Sequence, residues 1–314
     1  MSNANDFKFD NSLITTVTGC SVKGIIEHKL KRQGKIESLY GALGSACHLV
    51  LEHFFTGHDI DYCLEIFDKA YDKVIPPGVL PEEPMFYKQN IYDILSHYMA
   101  LHHPIENLPF EVVQAEENLT IELEPGFIFS MKRDLLVVDK ASGFYFPVDH
   151  KFRFGKISPW WYNKFKTNSQ ISGYLWGTKH SLDLSKYPVK NSLLINAISL
   201  AELPKSNRKC RTHGVNYSEC RTLHADFQFK TIDRTQEQID AWRRDIIVLA
   251  KQTKKLFDFF GEVELLQYAP RTGAFSNSCT FCSLQSWCRT GFNPDLIDEL
   301  SKPYDWRPWD GIEN

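Results

Sequence analysis

Four cysteines bracket the chain, with Cys20 near one end and Cys279, Cys282 and Cys288 near the other. A C-x2-C-x5-C triplet lacks the second C-x2-C pair of a two-knuckle zinc ribbon. Three local thiolates plus a distant one suit a four-cysteine 4Fe-4S cluster instead, with zinc as the alternative. A cluster held by all four would join the N- and C-terminal segments of a 314-residue chain. Everything between them then forms one enclosed unit, and its chemistry is to be sought in the middle.

Composition narrows the setting. An apolar fraction of 43% and a charged fraction of 24% are ordinary for a soluble globular chain. At a net charge of −3, nucleic-acid binding has to come from local patches rather than a global basic field. No apolar run reaches membrane-spanning length, and the polar first eleven residues lack the apolar core of a signal peptide. A cytoplasmic location with no membrane partner is expected, where cysteines serve metals more readily than disulfides.

Residues 12–32 read as a helix carrying Cys20, and 43–55 as a second helix carrying His48. A proline-rich break from Pro76 to Pro84 separates helical stretches at 61–73 and 85–101. Residues 110–123, 126–138 and 144–152 are rich in Val, Ile and Phe, with turns at Glu124-Pro125-Gly126 and Lys140–Gly143; they predict a three-stranded antiparallel meander. Pro147 weakens the last strand or places it at an edge. A helix starts at Ser158-Pro159 or near Asn168 and runs to about Lys179, and strands follow at 191–201 and 224–232. A long helix then opens at Thr235, with Gln238 at capping-box spacing and Ile239, Trp242, Ile246 and Leu249 on one face. This order predicts an α/β fold with a mixed sheet. It divides into a helical part over 12–110, a core over 111–232 and a C-terminal helix with the cysteine segment over 233–314.

Several polar residues stand out against this frame. Asp134 lies inside a strand, and Asp149 and Lys151 share a face of the next one. Two carboxylates on adjacent strands beside a lysine are what a Mg2+ or Mn2+ phosphodiesterase needs: oxygens for the metal and a cation for water or developing charge. Upstream, His48 shares a helix face with Glu52; downstream, Gln170 and Tyr174 share another. Taken singly, each has a plain structural reading as a core histidine or a solvated polar face.

In order, Gly44-x3-His48, Asp134, Asp149-His150-Lys151 and Gln170-x3-Tyr174 resemble the motif series of RecB-type nucleases in the PD-(D/E)XK superfamily. With Cys20 before and the cysteine triplet after, the frame is similar to the iron–sulfur branch that includes AddB-type and CRISPR-associated RecB-like nucleases. The resemblance implies a restriction-endonuclease-like core, a central mixed sheet flanked by helices. It also implies metal ligation by His48, Asp134 and Asp149 with the His150 carbonyl assisting, Lys151 as the catalytic lysine, and Gln170 and Tyr174 supporting the site. Asp149 stands where many relatives carry Glu, and Ser21 replaces the proline that usually follows the first cysteine.

The implied activity is a metal-dependent deoxyribonuclease, an exonuclease on single-stranded DNA or DNA ends, in repair or CRISPR adaptation of a prokaryote or phage. The alternative is a DNA-binding subunit of a recombination or CRISPR adaptation complex that does not cut. The stretch from His150 to Leu182 contains no acid and interleaves cations with aromatics, which suits unpaired strands. Trp160, Trp161 and Lys164 are its DNA-contact candidates, while Phe165 and Trp176 read as core. No G-x4-G-K-[ST] loop is present, so a helicase or integrase would be a separate partner; homo-oligomerisation stays open. Cys210, His213, Cys220 and His224 have a loose zinc-site spacing, against which stands a basic loop with incidental cysteines. Cys47 and Cys63 read as small buried hydrophobes.

Overall fold

The computed structural model describes residues 6–35, 39–82, 86–200, 209, 226–275, 279 and 282–304. The chain begins with β1 (Phe7–Phe9), α1 (Asn11–Gly19), α2 (Ser21–Gly24), β2 (Arg32–Gly34), α3 (Leu39–Phe55), α4 (Ile60–Val74) and α5 (Lys88–His102). The middle holds β3 (Phe110–Glu124), β4 (Phe127–Asp139), β5 (Tyr145–Phe154), α6 (Pro159–Asn163), α7 (Ser169–Ser181) and β6 (Ser192–Leu200). Then come β7 (Phe227–Asp233), α8 (Gln236–Phe260), α9 (Gln285–Arg289), α10 (Ile297–Leu300) and β8 (Ser301–Pro303).

Pro125 and a left-handed Gly126 (φ +82°) turn β3 into β4. The two strands pair from Glu124↔Phe127 back to Phe110↔Asp139. The other edge of β4 is shared. β1 runs parallel along Phe127–Phe129, and β5 runs antiparallel along Leu135–Val138. Residues 130–134 therefore border a gap between β1 and β5. β5 continues parallel to β6 and β6 antiparallel to β7, completing a mixed sheet.

Helices cover both faces. α3, α4 and α5 pack Val50, Phe54, Phe67 and Leu95 against Leu135, Val137 and Val148. On the opposite face α1, α7 and α8 pack Leu13, Ile171, Leu175 and Ile246 against Phe129, Met131 and Ile195. Each fully buried side chain of this size contributes about 1.5–3 kcal/mol. The capping box of α8 forms as expected: Gln238 N–H donates to Thr235 Oγ1 and Thr235 N–H to Gln238 Oε1. Cys47, Cys63, Phe165 and Trp176 are buried.

Two expectations are corrected. Pro147 lies in a central strand, paired with Leu136 of β4. Tyr145 N–H donates to Pro188 O, so by alternation the Pro147 nitrogen faces the β6 side, just ahead of the first β5–β6 pair, Val148↔Leu194. Its missing N–H costs that ladder nothing there. Cys20, in turn, is not inside a helix. It is extended (φ −155°, ψ 109°) between α1 and α2, and Ser21 N–H donates across to Thr272 Oγ1 at 2.9 Å.

That break is one of several contacts joining the N- and C-terminal segments. β2 pairs with β8, and Arg32 reaches Asp298 at 2.6 Å. A Cβ on Gly34 would sit 2.2 Å from the Ser283 carbonyl oxygen, so only glycine fits this approach. Trp287 is fully buried in the core beneath them.

Candidate active site

The sheet opens where the acids sit. The β4–β5 ladder ends at Leu135↔Val148, one residue short of Asp134 and Asp149. There His150 N–H, which points toward β4, donates to the Asp134 carboxylate at 2.7 Å instead of to backbone. Side-chain alternation on β4 also shifts at this point. Arg133 faces α7, donating to Thr178 Oγ1, whereas Leu135 joins the core against α3–α5. Opposite the shift stands Glu116 on β3, with φ +51°. A left-handed non-glycine residue costs about 1–3 kcal/mol and tends to mark a functional position.

Glu116 is the residue that sequence reading missed. Oxygens of Glu116 and Asp134 and a ring nitrogen of His48 all lie within 4.8 Å of one another. His48 reaches the site from α3, its Nδ1 3.5 Å from Asp134 Oδ2. Burial and the charges of Lys151 and Lys132 pull its pKa down to about 3, so the imidazole is neutral with a lone pair available as a ligand. Glu116 receives Lys132 Nζ on Oε2 at 2.5 Å, while its buried Oε1 has no partner. Counting back from the Pro125-Gly126 turn alone would set Glu117 opposite Asp134; the register shift between Glu122 and Glu124 brings Glu116 there instead, so no sequence signal singled it out.

Asp149 is 1% exposed. Its Oδ1 accepts from Lys151 Nζ at 2.8 Å, and its buried Oδ2 has no hydrogen-bond partner. Burial raises the pKa of both acids, and the charge of Asp149 adds to the rise at Asp134. A buried, unpartnered carboxylate oxygen beside a His/Glu/Asp trio is a donor set that fits a hard divalent cation.

Lys151 also donates to Gln170 Oε1 at 3.3 Å, and Gln170 Nε2 donates to Tyr174 OH at 2.9 Å. These residues come from α7, whose N-cap Asn168 accepts from Gln170 N–H at 2.8 Å. Tyr174 is held protonated by burial and by Asp149 and Asp134. The His150 ring points the other way, stacked on Phe55 at 5.2 Å. Asn196 donates one amide proton to its Nδ1 at 2.8 Å and the other to Tyr98 OH at 2.6 Å.

Two pockets flank this line. One, of about 400 Å³, includes His48, Lys151, Arg153 and Lys164 in its wall. The other, of about 580 Å³, has Asn11, Ser12, Thr15 and Thr16 of α1 on one side and Asn168, Ser169 and Gln170 on the other. Lys164 borders both pockets. Trp160 is 83% exposed, whereas Trp161 is 7% exposed in the core, with Lys164 Nζ 4.7 Å from its ring centroid. Trp161 thus forms a floor rather than a free stacking face.

Cys20, Cys279, Cys282 and Cys288 are half-buried free thiols. Burial raises the pKa values of Cys282 and Cys288, and the charges of Cys20 and Cys279 add to the rise. A Cβ on Gly273 would stand 2.9 Å from Cys20 Cβ. Cys210, His213, Cys220 and His224 lie outside the described residues.

A mixed sheet flanked by helices, with acids and a lysine where two adjacent strands part, defines a restriction-endonuclease-like α/β nuclease fold. Residues 12–289 match the family model described as the PD-(D/E)XK nuclease superfamily, and the chain belongs to that superfamily. No curated protein matches. Among solved structures, a candidate exonuclease from Eubacterium rectale is 12% identical, with 90% of this chain and 88% of that one covered at a TM-score of 0.51. This likeness is one of fold. SSO0001 is 13% identical over 86% of this chain and 94% of its own, at a TM-score of 0.31.

Proposed function

We propose that the chain is a Mg2+- or Mn2+-dependent deoxyribonuclease of the RecB-type iron–sulfur branch, acting on single-stranded DNA or DNA ends. The observation that carries this reading is the cluster of His48, Glu116 and Asp134 ligand atoms, with Asp149, whose buried Oδ2 is unpartnered, close enough for its charge to act on Asp134. Asp134, Asp149 and His48 would hold the cation, with Glu116 as a further ligand. A divalent cation there supplies Lewis acidity, acidifying water and polarising the phosphodiester. Lys151, tethered between Asp149 and Gln170, places a positive charge beside the reacting phosphate. Gln170 fixes the direction of that ammonium, and Tyr174 fixes the Gln170 amide. The groove lined by α1 and the start of α7, polar and bordered by Lys164, accepts the strand. The exonuclease name of the Eubacterium rectale protein supports action at ends.

The four thiols support a 4Fe-4S cluster serving as a structural staple, with Gly273 leaving room against Cys20. The nuclease would serve DNA repair or CRISPR adaptation, with any helicase or integrase a separate protein. Labelled single strands incubated with Mn2+ test the reading. Cleavage abolished by EDTA and by Lys151→Ala is expected; tight binding without cleavage would instead make the chain a DNA-binding subunit that does not cut.

A further inference from the structure

The pocket on the α3 side of Lys151 is chemically unlike the groove beside α1. Its wall holds three cations, Lys151, Arg153 and Lys164, and no carboxylate. Lys151 is committed to Asp149 and Gln170. Among the described residues, neither Arg153 nor Lys164 forms an ion pair, and burial with mutual repulsion from Lys151 and Arg153 lowers the Lys164 pKa. Two positive charges outside any ion pair therefore line one small space, and the nearby Asp149 carboxylate that acts on Lys164 is not part of its wall.

The α3 wall is hollowed. Gly41 and Gly44 both line the pocket, and a Cβ at either would meet nothing within 4 Å. Glycine is the poorest helix former after proline, yet no neighbouring atom requires it at either position. Beside them Tyr40 is 49% exposed, nearly perpendicular to Phe86 and Phe154 with ring centroids 4.9 and 5.2 Å away. An exposed but braced aromatic ring suits base stacking. At about 400 Å³ the space lies at the small end of the ~300–1,000 Å³ typical of small-molecule sites, room for one nucleotide rather than a duplex.

We propose that this pocket seats the terminal nucleotide of a DNA strand, its phosphate between Arg153 and Lys164 and its base on Tyr40. Cleavage then adds water across one phosphodiester P–O bond, leaving a phosphomonoester on one product and a hydroxyl on the other, and releases a mononucleotide. This rests on the nuclease reading, so the test separates the two.

Calorimetric titration of the full chain in EDTA with deoxyadenosine 5′- and 3′-monophosphates is the test, with deoxyadenosine as control. Binding of either nucleotide is expected, weakened about tenfold or more by Arg153→Ala and comparably by removing the phosphate. Gly41→Leu, which fills the hollow, should abolish it. No binding by a protein that still cleaves long strands with Mn2+ overturns the seat and leaves the nuclease standing. Binding without cleavage overturns the nuclease alone. Circular single strands cut as fast as linear ones overturn terminal release.

Discussion

Asp149→Asn should stabilise the metal-free protein while destroying its function. The carboxylate is buried, Lys151 satisfies only Oδ1, and Oδ2 has no partner. An unmade hydrogen bond at a buried charged group costs about 1–3 kcal/mol. Asparagine keeps the shape and an acceptor for Lys151, and it exchanges the charge for a cheaper neutral amide. The ammonium it leaves is partly exposed and remains hydrated. A gain of about 1–2 kcal/mol is expected. Unfolding entropy of about 2.1 cal/mol/K per residue converts that gain to a Tm rise of roughly 1.5–3 °C for a chain of this length. Differential scanning calorimetry in EDTA near neutral pH measures it. Added Mn2+ should then raise the Tm of the wild type and not of the variant, and the variant should not cleave DNA. A variant that melts below the wild type in EDTA, or that keeps the Mn2+ response, would refute the view of Asp149 as a destabilising acid held ready for a cation.

Other expectations follow the same geometry. Glu116→Gln should weaken Mn2+ binding about tenfold (~1.4 kcal/mol), read by titration; unchanged affinity would leave the backbone strain at Glu116 unexplained. Because Asp134 and Asp149 have raised folded-state pKa values, their contribution favours folding in acid and is lost as pH rises through those values. Cation binding needs both ionised, so the Mn2+-induced Tm gain should grow as pH rises through those raised values, and a flat profile would count against both as ligands. Cys282→Ala should yield colourless, poorly soluble protein, whereas Asp149→Ala stays brown and folded; an active, well-folded Cys282→Ala protein would sink the staple.

The meander and the shared face of Asp149 and Lys151 were legible because period-two alternation holds along β5 and the turns carry their own chemistry. The α8 cap was legible for the same local reason. Glu116 was not, because the adjacent pair Glu116-Glu117 on a strand reads as solvated surface; only the register opposite Asp134 and a positive φ reveal it. The break at Cys20 was hidden because residues 12–32 have helical character throughout, and the partner that competes for Ser21 N–H is Thr272, 251 residues away. Pro147 misled because a proline's cost depends on which edge its nitrogen faces, and alternation from Tyr145 settles that only once the neighbouring strand is known. Trp161 and Trp160 are adjacent in sequence and opposite in exposure, a difference decided by packing on Phe165.

The middle position of Asp149-His150-Lys151 is usually written as an x, a place of free choice. In this protein it works as a rivet. The His150 peptide nitrogen grips Asp134, while its ring is pinned to Phe55 of α3 and, through Asn196, to Tyr98 of α5. The helical layer that delivers His48 is thus bolted to the strand that delivers the acids through a side chain that never faces them. Drift in the tolerated sequence at this position would loosen the alignment of the two halves before it touched any ligand.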